Sequence, residues 1–235
     1  MDTRIYLALD FPDWSQSKRF LQENELKGVP VKVGMELFYK EGPSVIEQLK
    51  KDNHSIFLDL KLHDIPTTVQ KAMRNIAQLG VDIINVHALG GSDMIEAAKQ
   101  GLIEGASGKN VPKLIGVTVL TSMDEQMLQG ELNVNATLEE TAVRLAKLIH
   151  SSGGDGVVCS AHEAALIKEA CSPEFLTVTP GIRLTNTAHN DQKRIATPKF
   201  AKENGSDILV IGRSITQSTN PKQAYYDALE ELKHD

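Results

Sequence analysis

Phe57-Leu58-Asp59-Leu60-Lys61-Leu62-His63-Asp64-Ile65-Pro66 is the run around which the rest of the chain is organised. Side chains on a strand alternate between its two faces, so Leu58, Leu60 and Leu62 point one way and Asp59, Lys61 and His63 the other. If the apolar face packs against helices, Asp59 and Lys61 project into an interior where charge is costly unless it is paired or used. A structural ion pair that holds a strand in register would account for an isolated Asp-x-Lys. Asp64 adds a third charge just where Pro66 and Thr67 end the strand and open a helix, which puts the cluster at a strand's C-terminal end. Active sites of parallel α/β folds lie at that end.

Outward from this stretch, strand-like and helix-like runs alternate along the whole chain. Strands are expected at 5–10, 29–35, 55–63, 82–88, 114–121, 156–160, 176–182 and 208–211, and helices at 14–24, 43–51, 67–79, 92–104, 138–151, 162–170, 199–203 and 221–233. Eight β/α units predict a single-domain (β/α)8 TIM barrel spanning 1–235, with a doubly wound open sheet as the alternative. Thr67-Thr68-Val69-Gln70 reads as a capping box and Ser92 as an N-cap, while Gly80, Gly153 and Gly205 sit where helices should stop. Two stretches, 122–137 and 183–198, are long for barrel loops and follow strands, on the face where lids form.

Composition narrows the function. Thirty-one acidic against 25 basic residues give a net charge of -6, and no basic run suggests a nucleic-acid surface. An anionic ligand would therefore need its cations gathered locally. Cys159 and Cys171 form neither a metal spacing nor a disulfide framework, which fits a reducing cytoplasm and small core side chains. The strand-like run near the N-terminus leaves no room for a signal peptide, and no apolar stretch is long enough for a membrane span, so a soluble, cytoplasmic protein is expected.

Asp10 ends the first strand and Lys32 lies inside the second, between Val31 and Val33. A lone lysine in such a strand often snorkels to the surface. Asp10, Lys32, Asp59 and Lys61 arriving together at one barrel mouth would instead form an alternating array, in which opposite charges offset the cost of burial. At the last two strands, Thr179-Pro180-Gly181-Ile182-Arg183 and Gly212-Arg213-Ser214 each combine glycine with arginine. Barrels commonly bind phosphate there, and two guanidiniums suit a dianion, although a pair of surface arginines is the plainer account. His54, His150, His162, His189 and His234 read as surface or capping residues, without metal spacing. His63 and His87 fall near strand ends, and His63 could orient its neighbours.

The run from Asp59 to Thr68, with Leu9-Asp10, Val31-Lys32-Val33-Gly34, Leu120-Thr121-Ser122, Thr179 to Arg183 and Gly212-Arg213-Ser214, resembles the bacterial orotidine 5'-phosphate decarboxylases from about Ile5 to Tyr226. The resemblance implies that Lys61 donates a proton to C6 of the pyrimidine as carbon dioxide leaves, and that Asp59 faces the substrate carboxylate. It implies a homodimer in which Asp64 and Thr68 serve the neighbouring subunit's site. Lys32 and Asp10 would contact ribose, Ser122 with Thr121 the pyrimidine, and Arg183, Gly212 and Arg213 the phosphate. Gln192 would reach base and phosphate from a lid, and Ile65, Pro66, Val158 and Pro180 would form apolar walls. The implied partner is a small-molecule nucleotide, orotidine 5'-monophosphate, with no cofactor, metal, nucleic acid or membrane. Two other readings remain: a magnesium-dependent sugar-phosphate lyase or synthase of the same barrel type, and a non-catalytic nucleotide-binding protein. The first would need further carboxylates at strand ends, and the second has no reason to bury two lysines among aspartates.

Overall fold

The computed structural model describes residues 4–108, 110–184 and 196–232. Eight parallel strands follow one another around a closed barrel: β1 (Arg4–Ala8), β2 (Val31–Gly34), β3 (Ile56–Leu62), β4 (Ile83–His87), β5 (Lys113–Val117), β6 (Gly156–Val158), β7 (Leu176–Thr179) and β8 (Ile208–Ile211). β8 pairs back onto β1 through four residues, from Arg4 opposite Ile208 to Leu7 opposite Ile211, which excludes the open sheet. The helices are α1 (Trp14–Glu23), α2 (Met35–Glu41), α3 (Ser44–Lys51), α4 (Pro66–Gln78), α5 (Gly91–Ala106), α6 (Leu138–Ser151), α7 (Ala164–Ala170), α8 (Pro198–Glu203), α9 (Arg213–Thr216) and α10 (Pro221–Glu231). None is long and apolar enough to cross a membrane. The short helices α2 and α9 are not legible in the periodicity, because each follows its strand without a loop.

Alternation along the strands builds two apolar shells. Leu58 and Leu60 on β3 join the layer between barrel and helices. Tyr6, Phe57, Ile83, Ile115, Val178, Ile208 and Val210 fill the barrel's interior, with the ring edge of Tyr6 against Phe57 at 6.4 Å. The inward face of β3 therefore runs from Phe57 at the bottom to Asp59 above it. On the outside, α5 lies almost on the backbone of α4. A Cβ at Gly101 would come within 2.2 Å of the Gln70 carbonyl oxygen, and one at Gly105 within 2.1 Å of that of Arg74. Those two glycines set the helix spacing beside β3 and β4.

Two expected helix starts are displaced. α4 begins at Pro66, with Ile65 at the N-cap and no side-chain cap, so Thr67 opens no capping box. Proline at the first helical position supplies the right φ and lacks only an N–H that would have been unsatisfied there. α5 begins at Gly91 because a 3-10 turn, Ala88–Gly90, runs straight into it, leaving Ser92 inside the first turn with its hydroxyl near Asp93. Gly80, Gly153 and Gly205 do follow helices, all with φ between 73° and 83°. His54 is buried rather than superficial, and its Nδ1 donates to the Val29 carbonyl at 2.6 Å.

The N-terminal face of the barrel repeats one device three times. Asp82, Asp155 and Asp207 stand just before β4, β6 and β8. Each carboxylate accepts the N–H of a residue on the preceding strand: Ile56 at 2.7 Å, Leu114 at 2.8 Å and Thr177 at 2.8 Å. Each also meets a lysine from the helix that leads into that preceding strand, Lys50 of α3 at 3.6 Å, Lys99 of α5 at 2.6 Å and Lys168 of α7 at 2.6 Å. One oxygen thereby ties a strand start to both its neighbouring strand and its helix.

Candidate active site

At the opposite face, four charged side chains from three strands form a chain of contacts. Asp10 follows β1, and its Oδ1 lies 3.1 Å from Lys32 Nζ on β2. The same ammonium lies 3.2 Å from Asp59 Oδ2 on β3, whose other oxygen accepts from Lys61 Nζ at 2.6 Å. Burial pushes the Asp59 carboxyl up, but the ammoniums of Lys32 and Lys61 outweigh it and hold the group below the usual carboxylate range. Burial pulls the Lys32 amine down, and Asp59 with Asp10 more than reverses this, leaving it above its ordinary value. The array keeps its charges because each is the other's counterion.

Lys61 sits on an interruption of β3. From Leu58 to Leu62 this strand spends four residues where β4 spends two, from Ile84 to Val86. Lys61 adopts φ 52°, and it is the only non-glycine residue within a strand to have positive φ among the described residues. The bulge turns its side chain toward the axis.

A cavity of about 230 Å³ opens over this array. Asp10, Lys32, Asp59, Lys61, Thr121, Val158, Pro180, Arg183, Gly212 and Arg213 all line it. Arg183 is 7% exposed and donates from Nη1 to the Ile182 carbonyl at 3.0 Å. Its position past β7, together with Arg213 past β8, gives the cavity a cationic side remote from Lys61. Gly212 leaves room at this end, since a Cβ there would press within 3.5 Å of Ala8 and Asp10.

Other expected residues lie elsewhere. Ser122 is exposed and outside the cavity lining, one residue beyond Thr121. Asp64, Ile65 and Pro66 stand on the outer rim in a shallow groove with His63 and Leu89, and Thr68 is exposed on the first turn of α4. Ile65 is 66% and Leu89 58% exposed, an apolar rim beside the charged Asp64. Gln192, like His189 and His234, lies outside the described residues. His63 stacks on His87 at 5.6 Å, and burial, then the His63 and Lys61 charges, lower the basicity of His87 against an opposing pull from Asp59. Among the described residues, no cluster of three or more His, Cys, Asp and Glu side chains is placed to hold a metal ion.

Sequence reasoning missed Asn85. It is wholly buried on β4, donates to Asp59 Oδ1 at 2.7 Å and accepts the Lys61 backbone N–H at 2.7 Å. The signal was present in Ile83-Ile84-Asn85-Val86, where one amide interrupts an apolar strand.

Residues 3–228 match the family described as Orotidine 5'-phosphate decarboxylase / HUMPS family. An orotidine 5'-phosphate decarboxylase of Bacillus pumilus is 54% identical over 226 residues, 96% of this chain and 97% of that protein. The crystal structure of orotidine 5'-phosphate decarboxylase from Lactobacillus acidophilus covers all of both chains at 44% identity with a TM-score of 0.89. That of an uncharacterized conserved protein from Geobacillus kaustophilus, 47% identical, covers 97% of this chain and 99% of its own with a TM-score of 0.86. With a match of this extent on a closed barrel whose mouth carries the Lys/Asp array, the chain belongs to the orotidine 5'-phosphate decarboxylase / HUMPS family.

Proposed function

We propose that this protein converts orotidine 5'-monophosphate into uridine 5'-monophosphate and carbon dioxide without a cofactor, the last step of de novo pyrimidine nucleotide synthesis. The observation that carries the reading is the Lys61 ammonium, held 2.6 Å from Asp59 in a cavity whose far side carries Arg183 and Arg213. When the bond from C6 to the carboxylate breaks, its electron pair stays on an sp2 ring carbon. Stabilisation there has to come from fixed charge, and an ammonium preorganised away from bulk water supplies it without reorganisation. Lys61 Nζ then transfers a proton to C6, uridine 5'-monophosphate and carbon dioxide leave, and the amine regains its proton from water.

Asp59 would face the substrate carboxylate. Unit charges ~4 Å apart at an effective dielectric of ~20 repel by about 4 kcal/mol, or roughly three decades of rate. Enzymatic accelerations extend far beyond three decades, so this repulsion is one contribution among several. Binding energy from the remote phosphate, gathered by Arg183, Gly212, Arg213 and Gln192, is available for the rest. Thr121 and Ser122 would hold the pyrimidine, Lys32 and Asp10 the ribose, with Pro180 and Val158 as walls.

The same reading makes the active species a homodimer. Asp64 and Thr68, exposed on the rim and outside their own chain's cavity, would complete the site of a neighbouring copy, with Ile65 and Pro66 packed between. The decisive assay follows the ultraviolet absorbance of orotidine 5'-monophosphate with purified protein in excess EDTA. Sustained turnover is expected; turnover that fails there and returns with Mg2+ would transfer the chain to the magnesium-dependent lyase reading.

A further inference from the structure

We propose that Asn85 is the positioning residue of the site: its carboxamide fixes both the Lys61 backbone and the Asp59 carboxylate. The inference rests on the assignment of Lys61 and Asp59 as the residues that act on substrate. Asn85 lies between Ile84 and Val86, the two β4 residues across which β3 spends its two extra positions. A strand that bulges loses ladder hydrogen bonds, and the N–H of Lys61 would be left buried without an acceptor. Asn85 Oδ1 takes that N–H at 2.7 Å, so a side chain of β4 replaces the missing backbone partner.

The other end of the carboxamide acts on the array. Asn85 Nδ2 donates at 2.7 Å to Asp59 Oδ1, the same oxygen that receives Lys61 Nζ. An N–H and a carboxylate oxygen demand opposite ends of the amide, so only one orientation of the group serves both. One planar group thus sets where Lys61 leaves the strand and how the Asp59 oxygens divide between Lys61 and Lys32. Left-handed backbone at a lysine is unfavourable, and it persists only where its surroundings impose it. Asn85 is wholly buried and does not line the cavity, so it acts through its two neighbours and not by touching substrate.

The test compares wild type with Asn85→Ala, Asn85→Ser and Asn85→Asp for kcat, KM, the pH dependence of kcat/KM, uridine 5'-monophosphate binding and melting temperature. Wild-type turnover independently decides the underlying assignment. For Asn85→Ala, kcat is expected to fall at least about thirtyfold while KM and product affinity stay within about threefold, because misplacing a reacting group costs rate and the phosphate end is untouched. Asn85→Ser should recover part of that loss. Asn85→Asp keeps the acceptor for Lys61 N–H but sets a second carboxyl against Asp59, so the acidic limb of its profile should move up by about one pH unit or more. Folded variants with kcat within about threefold of wild type and an unmoved profile would make Asn85 a core polar residue and overturn the inference. Failure of all three variants to fold would overturn it too, since the carboxamide would then serve the barrel and not the site.

Discussion

Replacing Asp59 by alanine tests whether the array is a balanced set of charges. Among the described residues the carboxylate, with a side chain 13% exposed, is the one group that pairs with both ammoniums, and removing it leaves Lys32, 12% exposed, with the 62% exposed Asp10 as its ion-pair partner. At ~3 Å and an effective dielectric of ~20, each lost contact is an attraction of about 5 kcal/mol, although the desolvation already borne by the pair offsets much of this. Deprotonation also caps the penalty. Taking the proton off a free lysine at pH 7 costs about 5 kcal/mol, and a buried ammonium whose penalty exceeds that sheds its proton instead. The folded protein should therefore lose about 3–5 kcal/mol at pH 7, seen as a fall of ~1 M or more in the urea midpoint at fixed protein concentration.

The pH dependence carries the sign. In the wild type the Asp59 carboxyl lies below its usual range, so its stabilisation is present above the unfolded value near ~3.9 and disappears as pH falls through the folded one. In the variant a depressed lysine means that the unfolded chain binds more protons, so stability rises with pH and the gap to wild type narrows to ~2 kcal/mol near pH ~9. Asp10→Ala is the control, and an ion pair that open to solvent should cost no more than ~1 kcal/mol. A midpoint shift for Asp59→Ala below ~0.3 M, or one equal to that of Asp10→Ala, would refute the reasoning.

Three further outcomes are expected. Arg213→Ala should slow reaction of the whole nucleotide, and free guanidinium should restore part of the rate, since what is lost is a charge facing a dianion; no rescue by guanidinium would count against a phosphate at that end. Lys61→Ala and Asp64→Ala, each nearly inactive alone, should complement after subunit exchange to about a quarter of the wild-type sites, because half the dimers are mixed and one site in each is intact. Lys61→Ala mixed with Asp59→Ala should stay inactive, and a dead first mixture with exchange confirmed would remove Asp64 from the shared site. On the opposite face, Asp155→Ala strands the buried Leu114 N–H and the Lys99 ammonium and should cost ~2–4 kcal/mol in denaturant unfolding with kcat unchanged. Unaltered stability would deny that face its fastening role.

The barrel was legible because its signal is redundant: eight apolar runs separated by amphipathic helices leave few other packings, and the closing pair of β8 on β1 follows from having eight. Asp10, Lys32, Asp59 and Lys61 were legible because charge inside a strand pattern is anomalous. The displaced starts of α4 and α5 show the limit of cap chemistry, since Pro66 and the turn at Ala88–Gly90 fix the backbone before any side chain can. Asn85 was overlooked because its worth depends on an irregularity across the sheet. Strict alternation places Lys61 on the inward face, but nothing in a period of two announces that β3 spends two residues beyond its neighbour's count to put it there.

That irregularity weighs against a purely structural account of the Asp59–Lys61 pair. A structural pair that holds a strand in register should sit where the register is kept. Here the register is lost between Leu58 and Leu62, at the pair itself, and Lys61 takes a left-handed backbone that a stabilising role would never require. The N-terminal face shows what structural Lys/Asp pairs look like in the same molecule: Asp82, Asp155 and Asp207 each spend an oxygen on a strand N–H, and that same oxygen meets a lysine from a helix outside the barrel. Asp59 makes no such bond to the strands in its contacts with Lys32, Lys61 and Asn85, and its two oxygens are divided among side chains around the cavity. Identical residue types thus fasten one end of the barrel through the backbone and, at the other, hold a strained lysine where an anionic ligand would meet it.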